Sequence, residues 1–266
     1  MKRPSTTPYE NLRDEGVLTT TPDIITFDTR LELEEGQLPS LWLSSPMYNE
    51  IGHWNLRRVI GRYGADIEDE HGWKALAEGD RAFREALRYK APEERDRKIA
   101  CIQLAELLYL HAIAHGSTLA WLNLGRIYDN DYAEGDYFGA AACQSPAKQA
   151  FFCYSKATEY DNAEAMYRLG DLYKAGKGVE KDEVAAFRYY VKAQECDERD
   201  SEIWAPIALR LGEAFEHGMG CDVDDKTACA WYAKALLGFK ELVLDGYSSY
   251  EGALQAAQDG VWRTKL

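Results

Sequence analysis

His111 and His115 stand four residues apart, the helical spacing at which two imidazoles can share one metal ion. A hydrolytic zinc helix would place a glutamate directly after the first histidine, and position 112 is alanine. Carboxylates crowd Asp66-Ile67-Glu68-Asp69-Glu70, but without the Asp-x-Asp-x-Asp-Gly order that wraps a calcium ion. Cys221 and Cys229 straddle a turn and a helix start. Gly176-Lys177-Gly178 and Gly218-Met219-Gly220 have the composition of phosphate loops. Such a loop follows a strand, however, and here a helical pattern precedes each one. Neither Gly-x-Ser-x-Gly nor a Walker loop occurs. Every constellation has a plainer explanation: packed or exposed histidines, reduced thiols, a solvated acidic loop and helix-ending turns. No catalytic, cofactor-binding or metal residue is assigned.

The elements beneath those turns repeat. The pattern Ala-x3-Tyr-x2-Ala occurs at Ala105/Tyr109/Ala112, Ala150/Tyr154/Ala157, Ala186/Tyr190/Ala193 and Ala228/Tyr232/Ala235. Positions i, i+4 and i+7 share one face of an α-helix, so each copy is a small–large–small core stripe. We term this helix B. A second stripe, helix A, reads Leu124-Gly125-x2-Tyr128, Leu169-Gly170-x2-Tyr173 and Leu211-Gly212-x2-Phe215, with Ala120, Ala165 and Ile207 four residues before each leucine. Glycine inside a helix costs about 1 kcal/mol against alanine. Its recurrence at Gly125, Gly170 and Gly212 predicts close approach of a neighbouring helix. The aromatic register also argues that the tyrosines are core rather than a stacking surface for sugars or bases.

The A–B turns carry structural signals. Gly176, Gly178, Gly218 and Gly220 suit left-handed backbone at helix ends. Asp182 and Asp224 are placed to cap the following helices, with Glu183 and Asp225 in the first turns. Ser145-Pro146 supplies a cap and a first-turn proline before Ala150.

The segment Ala165 to Ala193, AMYRLGDLYKAGKGVEKDEVAAFRYYVKA, resembles the Sel1-like repeat. It matches that family's A-x3-LG-x2-Y-x2-G-x-GV-x2-D-x3-A-x3-Y-x2-A at every element. Ile207 to Ala235 matches with Phe215, Ile207 and Cys221 as replacements, and Ala120 to Ala157 keeps both helices around a different turn. Ala105 to Ala112 resembles a helix B without a partner. The resemblance spans about Arg97 to Gly238 and implies an all-α, right-handed α-α superhelix of antiparallel helix pairs, related to tetratricopeptide repeats. It also implies a role in protein–protein interaction. Cysteine-rich relatives pair cysteines at matched repeat positions; Cys196, Cys221 and Cys229 do not recur in that way, so no disulfide is expected.

Lys and Arg total 31 against 45 Asp and Glu, a formal charge of −14. Such a chain repels phosphate backbones and anionic lipid, so neither nucleic acid nor membrane is expected as a partner. No run of 18 apolar residues is present, and Met1 to Asp23 has no apolar core of a signal peptide. Six cysteines at irregular spacing, without Cys-x2-Cys, read as cytoplasmic thiols.

The remaining chain is divided by composition. Residues 1–22, rich in Thr and Pro, read as a disordered arm, and 23–72 as an N-terminal segment. In the latter, Ile25, Phe27, Leu31 and Leu33 alternate with polar residues as one candidate strand, and 46–63 reads as a helix. Residues 73–266 form the repeat domain. Within it, 72–90 is a helix, a candidate degenerate helix A, and 249–259 caps the solenoid.

The sequence therefore predicts a non-catalytic scaffold that binds a protein or peptide and carries no cofactor. The competing reading is an enzyme or hydrolase-like subunit with a site in the first 95 residues. A third is self-assembly through the strand. Helix A offers outward columns around its glycine: Asn123, Arg168 and Arg210 two residues before it, Arg126, Asp171 and Glu213 one after, Asp129, Lys174 and Glu216 four after. Arg126, Arg168 and Arg210 can salt-bridge internally to Asp171 and Glu213. Alternatively they receive carboxylates of an acidic partner segment, as forked guanidinium groups do well.

Overall fold

The computed structural model describes residues 72–129, 146–196 and 200–265. Over these the chain is an all-α helical repeat with no strand. The arm 1–22, the candidate strand, the helix at 46–63, the acidic run 66–70 and the cap at Ser145 lie outside the described residues. Two compact units divide the chain at Cys153/Tyr154.

The first unit contains α1 (Trp73–Ala86), α2 (Arg95–Ala114), α3 (Leu119–Asp129) and the start of α4 (Pro146–Thr158). Ala75, Leu76, Gly79, Ala82 and Ala86 form the buried stripe of α1, with helical periodicity. A short 3-10 turn, Pro92–Glu94, leads into α2, and the Glu94 carboxylate accepts the Ala91 N–H at 3.1 Å. The helix B that resembled an orphan is therefore half of a pair: α2 packs on α1. A Cβ on Gly79 would lie 2.7 Å from the Tyr109 ring, which explains glycine at that point. The helix is shorter than expected, since α1 ends at Ala86 rather than at Lys90.

The second unit runs from the remainder of α4 through α5 (Ala163–Ala175), α6 (Glu183–Glu195), α7 (Ser201–His217), α8 (Asp225–Leu244) and α9 (Glu251–Thr264). Its two A–B turns share their closing backbone bonds. Gly176 and Gly218 take φ 68° and 70°, and the next residues close the helix ends, Lys177 N–H to Leu172 C=O and Met219 N–H to Ala214 C=O, both 3.0 Å. Asp182 N–H then returns to Tyr173 C=O at 3.0 Å, and Asp224 N–H to Phe215 C=O at 2.9 Å. The expected caps form: Asp182 accepts from Ala185 N–H at 2.9 Å and Asp224 from Thr227 N–H at 3.0 Å. Gly220 meets two demands, φ 72° and contact with the preceding repeat, where a Cβ would stand 2.3 Å from the Glu183 carbonyl oxygen.

The tyrosines are core. Tyr109, Tyr154, Tyr190 and Tyr232 are each at most 1% exposed, and their flanking alanines at most 2%. In the second unit the Tyr190 ring lies on Gly170, 2.6 Å from where a Cβ would be. Tyr232 lies between Gly212 and Gly260, which brings α9 against α8 as another helix A would stand. The C-terminal cap is longer than the expected 249–259, reaching Thr264, whose hydroxyl bonds to the Gly260 carbonyl at 2.7 Å.

Candidate partner-binding face

A buried helix B tyrosine must satisfy its hydroxyl, and at Tyr109, Tyr190 and Tyr232 helix A supplies the acceptor. In the first unit Tyr109 Oη donates to Asp80 at 2.9 Å, and Asn123 Nδ2 donates to the same carboxylate oxygen at 2.8 Å. Arg126 in turn donates to Asn123 Oδ1 at 3.1 Å. A further buried bond joins Tyr128 Oη to Glu106 at 2.6 Å.

The second unit repeats the device with charge. Tyr190 Oη donates to Asp171 at 2.8 Å, and Arg210 grips both carboxylate oxygens, Nε at 2.6 Å to one and Nη2 to the other. Arg210 also donates from Nη1 to the Pro206 carbonyl at 3.0 Å. Near the C-terminus Tyr232 Oη donates to Glu216, which also receives Arg263 through Nε at 2.6 Å and Nη2 at 2.9 Å. The Arg263 hydrogen bond is the main cause holding Glu216 at a pKa of about 2. Burial first, then the adjacent Asp171, pushes the Tyr190 phenol well above its ordinary value.

The predicted site residues fall on this framework. Arg168 pairs with Glu164 at 2.6 Å on its own helix, and Lys174 with Glu213 at 2.7 Å in the next repeat. Both Arg168 and Arg210 lie against the Tyr167 ring, at 5.5 and 4.7 Å from its centre. Burial raises the Tyr167 phenol to about 12, so that ring stays neutral. Asn123 and Arg126 are bonded to each other within the first unit. Internal pairing is thus present at Arg168, Lys174 and Arg210. What sequence reasoning missed is the tyrosine's claim on Asp80, Asp171 and Glu216. A signal was available for two of them, because Asp80 and Asp171 each directly follow a helix A glycine.

Gly218 and Gly220 border an open cleft of about 1160 Å³ in the second unit. Glu180, Asp182, Glu183 and Asp222 line it together with Lys181, a net negative charge that repels phosphate and agrees with a structural role for Gly218 and Gly220. Among the described residues no helix is long and apolar enough to cross a membrane.

The model of the Sel1 repeat matches residues 163–196 and 208–237. Among solved structures the chain is similar to a protective antigen present in uropathogenic Escherichia coli strains, which displays an SLR fold. That likeness has 24% identity and a TM-score of 0.44, and covers 70% of this chain but 38% of the antigen. A Sel1 repeat protein from Oxalobacter formigenes is 20% identical with a TM-score of 0.42, over 73% of this chain and 70% of that one. No curated protein matches.

Proposed function

Because this chain carries Sel1 repeats, generally protein–protein interaction modules, we propose that it is a non-catalytic cytoplasmic scaffold that captures a partner on helix A. Within the second unit the capturing residues are Arg168, Asp171, Lys174, Arg210 and Glu213; in the first they are Asn123 and Arg126. The partner brings an acidic segment. The observation that carries this reading is the cationic pad of Arg168 and Arg210 on one phenol ring, in a chain of charge −14.

Internal pairing sets the terms. Arg210 is committed to Asp171 and Pro206, so it positions the pad. Arg168 and Lys174 each hold one carboxylate by a single nitrogen, and an incoming carboxylate can replace it or share it. The described cysteines are all free thiols, in keeping with a reducing compartment.

A random 16-residue peptide library panned on the full chain tests this. Selected peptides are expected to be enriched in Asp and Glu, to weaken with added salt, and to lose affinity when Arg168 and Lys174 are both changed to Glu. Circular dichroism should stay unchanged in that variant. Absence of any acidic class among the selected peptides, or equal binding of the acidic peptides to the double variant, would refute the helix A reading.

A further inference from the structure

The second unit holds a second recognition feature on another surface. A cavity of about 160 Å³ opens where the end of α6 meets the first half of α7 and the middle of α8. Ala193, Ile207, Ala208 and the indoles of Trp204 and Trp231 give its apolar walls, and Gln194 and Cys196 complete the lining. Lys234 closes the mouth, its Nζ 5.0 Å from the Trp231 ring centre and 5.9 Å from that of Trp204. That cation has two aromatic faces for company, and among the described residues no carboxylate pairs with it. The Lys234 ammonium is therefore open to an incoming anion while it stays in contact with the two rings.

The cavity is built into the helices. Trp231, Lys234 and Gly238 stand at i, i+3 and i+7, one face of α8. The Trp204 indole lies on Gly238, where a Cβ would come within 2.6 Å of its ring. A mid-helix glycine is unfavourable in itself, and here it seats the indole that forms one wall. Neither indole N–H has a hydrogen-bond acceptor among the described residues. The lining thus offers a largely carbon-walled chamber for one side chain, with Gln194 and Cys196 on its wall and positive charge and spare donors beside them.

We propose that this cavity receives the C-terminal residue of a partner peptide, its apolar side chain between Trp204 and Trp231 and its carboxylate on Lys234. Charge and size select this occupant. An α-carboxylate sits one bond from the Cα that carries the side chain, so both reach a chamber and a cation that lie within one ring's breadth. An acidic side chain elsewhere in a peptide would need a longer opening. The ammonium keeps its contact with the indoles as the carboxylate arrives, since a cation over an aromatic face has its remaining donors outward. The proposal uses the repeat's binding role but a different surface from the helix A pad.

The test uses the full-length chain and arrayed randomised hexapeptides, made in parallel with free carboxyl termini and as C-terminal amides. Capture is expected for free acids ending in Leu, Ile, Val, Phe or Met, with a change in indole fluorescence on titration. Amidation should weaken binding by about tenfold or more, and Lys234→Gln by a similar factor, because each removes one side of a charged hydrogen bond. Lys234→Arg should hold affinity within about threefold. The Arg168→Glu, Lys174→Glu double variant should leave capture unchanged. Equal binding of acids and amides, no binding by either set, or full binding to Lys234→Gln would overturn the proposal. Loss only in the double variant would assign the peptides to helix A instead.

Discussion

Asp80 in the first unit and Asp171 in the second occupy one design, yet differ in the third member. Both follow a helix A glycine, and both accept the hydroxyl of the tyrosine that packs on that glycine. The next helix A then adds a neutral amide at Asp80, from Asn123, and a bidentate guanidinium at Asp171, from Arg210. The steric part of the repeat is therefore constant, while its electrostatic part is adjustable. A neutral third member specifies geometry without ionic strength dependence. A charged one adds strength that salt can screen and that an acidic ligand can contest.

The constant part should break hardest, and equally in both units. Gly79→Val and Gly170→Val force a branched side chain into space held by a tyrosine ring. Overpacking of that kind and lost helix propensity together predict about 3 kcal/mol or more for each. Urea unfolding measures it. A melting temperature within a degree or two of wild type for either variant would show that its glycine is not a packing point.

The adjustable part should separate the units. Asp171→Ala strands a half-buried guanidinium and a buried phenol, and should cost about 2 kcal/mol; Asp80→Ala strands two neutral donors, at about 1 kcal/mol. Repeating the measurement in 1 M salt should narrow the gap, because only Asp171 contributes a charged pair. An unchanged gap would mean that Arg210 acts through packing on Tyr167 alone.

The turns sharpen the comparison on a smaller scale. Asp182→Ala should lose about 1 kcal/mol with its N-cap, whereas Asp182→Asn retains an acceptor and should lose far less. Equal losses would reveal a role for the negative charge beyond the hydrogen bond seen to Ala185 N–H.

How much of this the sequence reveals follows from distance along the chain. Helix B stripes, helix A glycines and the caps at Asp182 and Asp224 are local patterns, and the helices reproduce them. The Asp200 cap of α7 was missed because no repeated turn precedes it. Helix A of the first pair reads as a degenerate copy, because Glu78 and Ala82 stand where leucine and an aromatic occur in later copies, and it does pack on its helix B. Arg210 and Asp171 lie 39 residues apart, and nothing local tells a guanidinium which of Asp171 or Glu213 it will reach. Lys174 takes Glu213, and the choice is made by side-chain direction on packed helices. The Trp204–Trp231 cavity falls outside the repeat pattern altogether, so no motif announces it.

Glu216 provides the finest probe, because there the acid hub stands four residues after the glycine and its cation comes from α9. Its pKa is held at about 2, chiefly by the hydrogen bond from Arg263, below the ordinary carboxylate range. In the unfolded chain the same carboxyl protonates at about 4.3. Between these values the unfolded state binds more protons, so stability rises with pH. The contribution is fully present above the unfolded value and is lost as pH falls through the folded one. Arg263→Gln should therefore lower the melting temperature slightly at pH 7, where the pair is partly solvated and the effect correspondingly modest. The difference from wild type should shrink steadily from about pH 4.5 downward and vanish only below about pH 2. Arg84→Gln, on the exposed face of α1, makes the control, since it should show no such window. A difference between Arg263→Gln and wild type that stayed constant across the acid range would mean that α9 is held to α8 by Gly260 and Tyr232 packing without help from the ion pair.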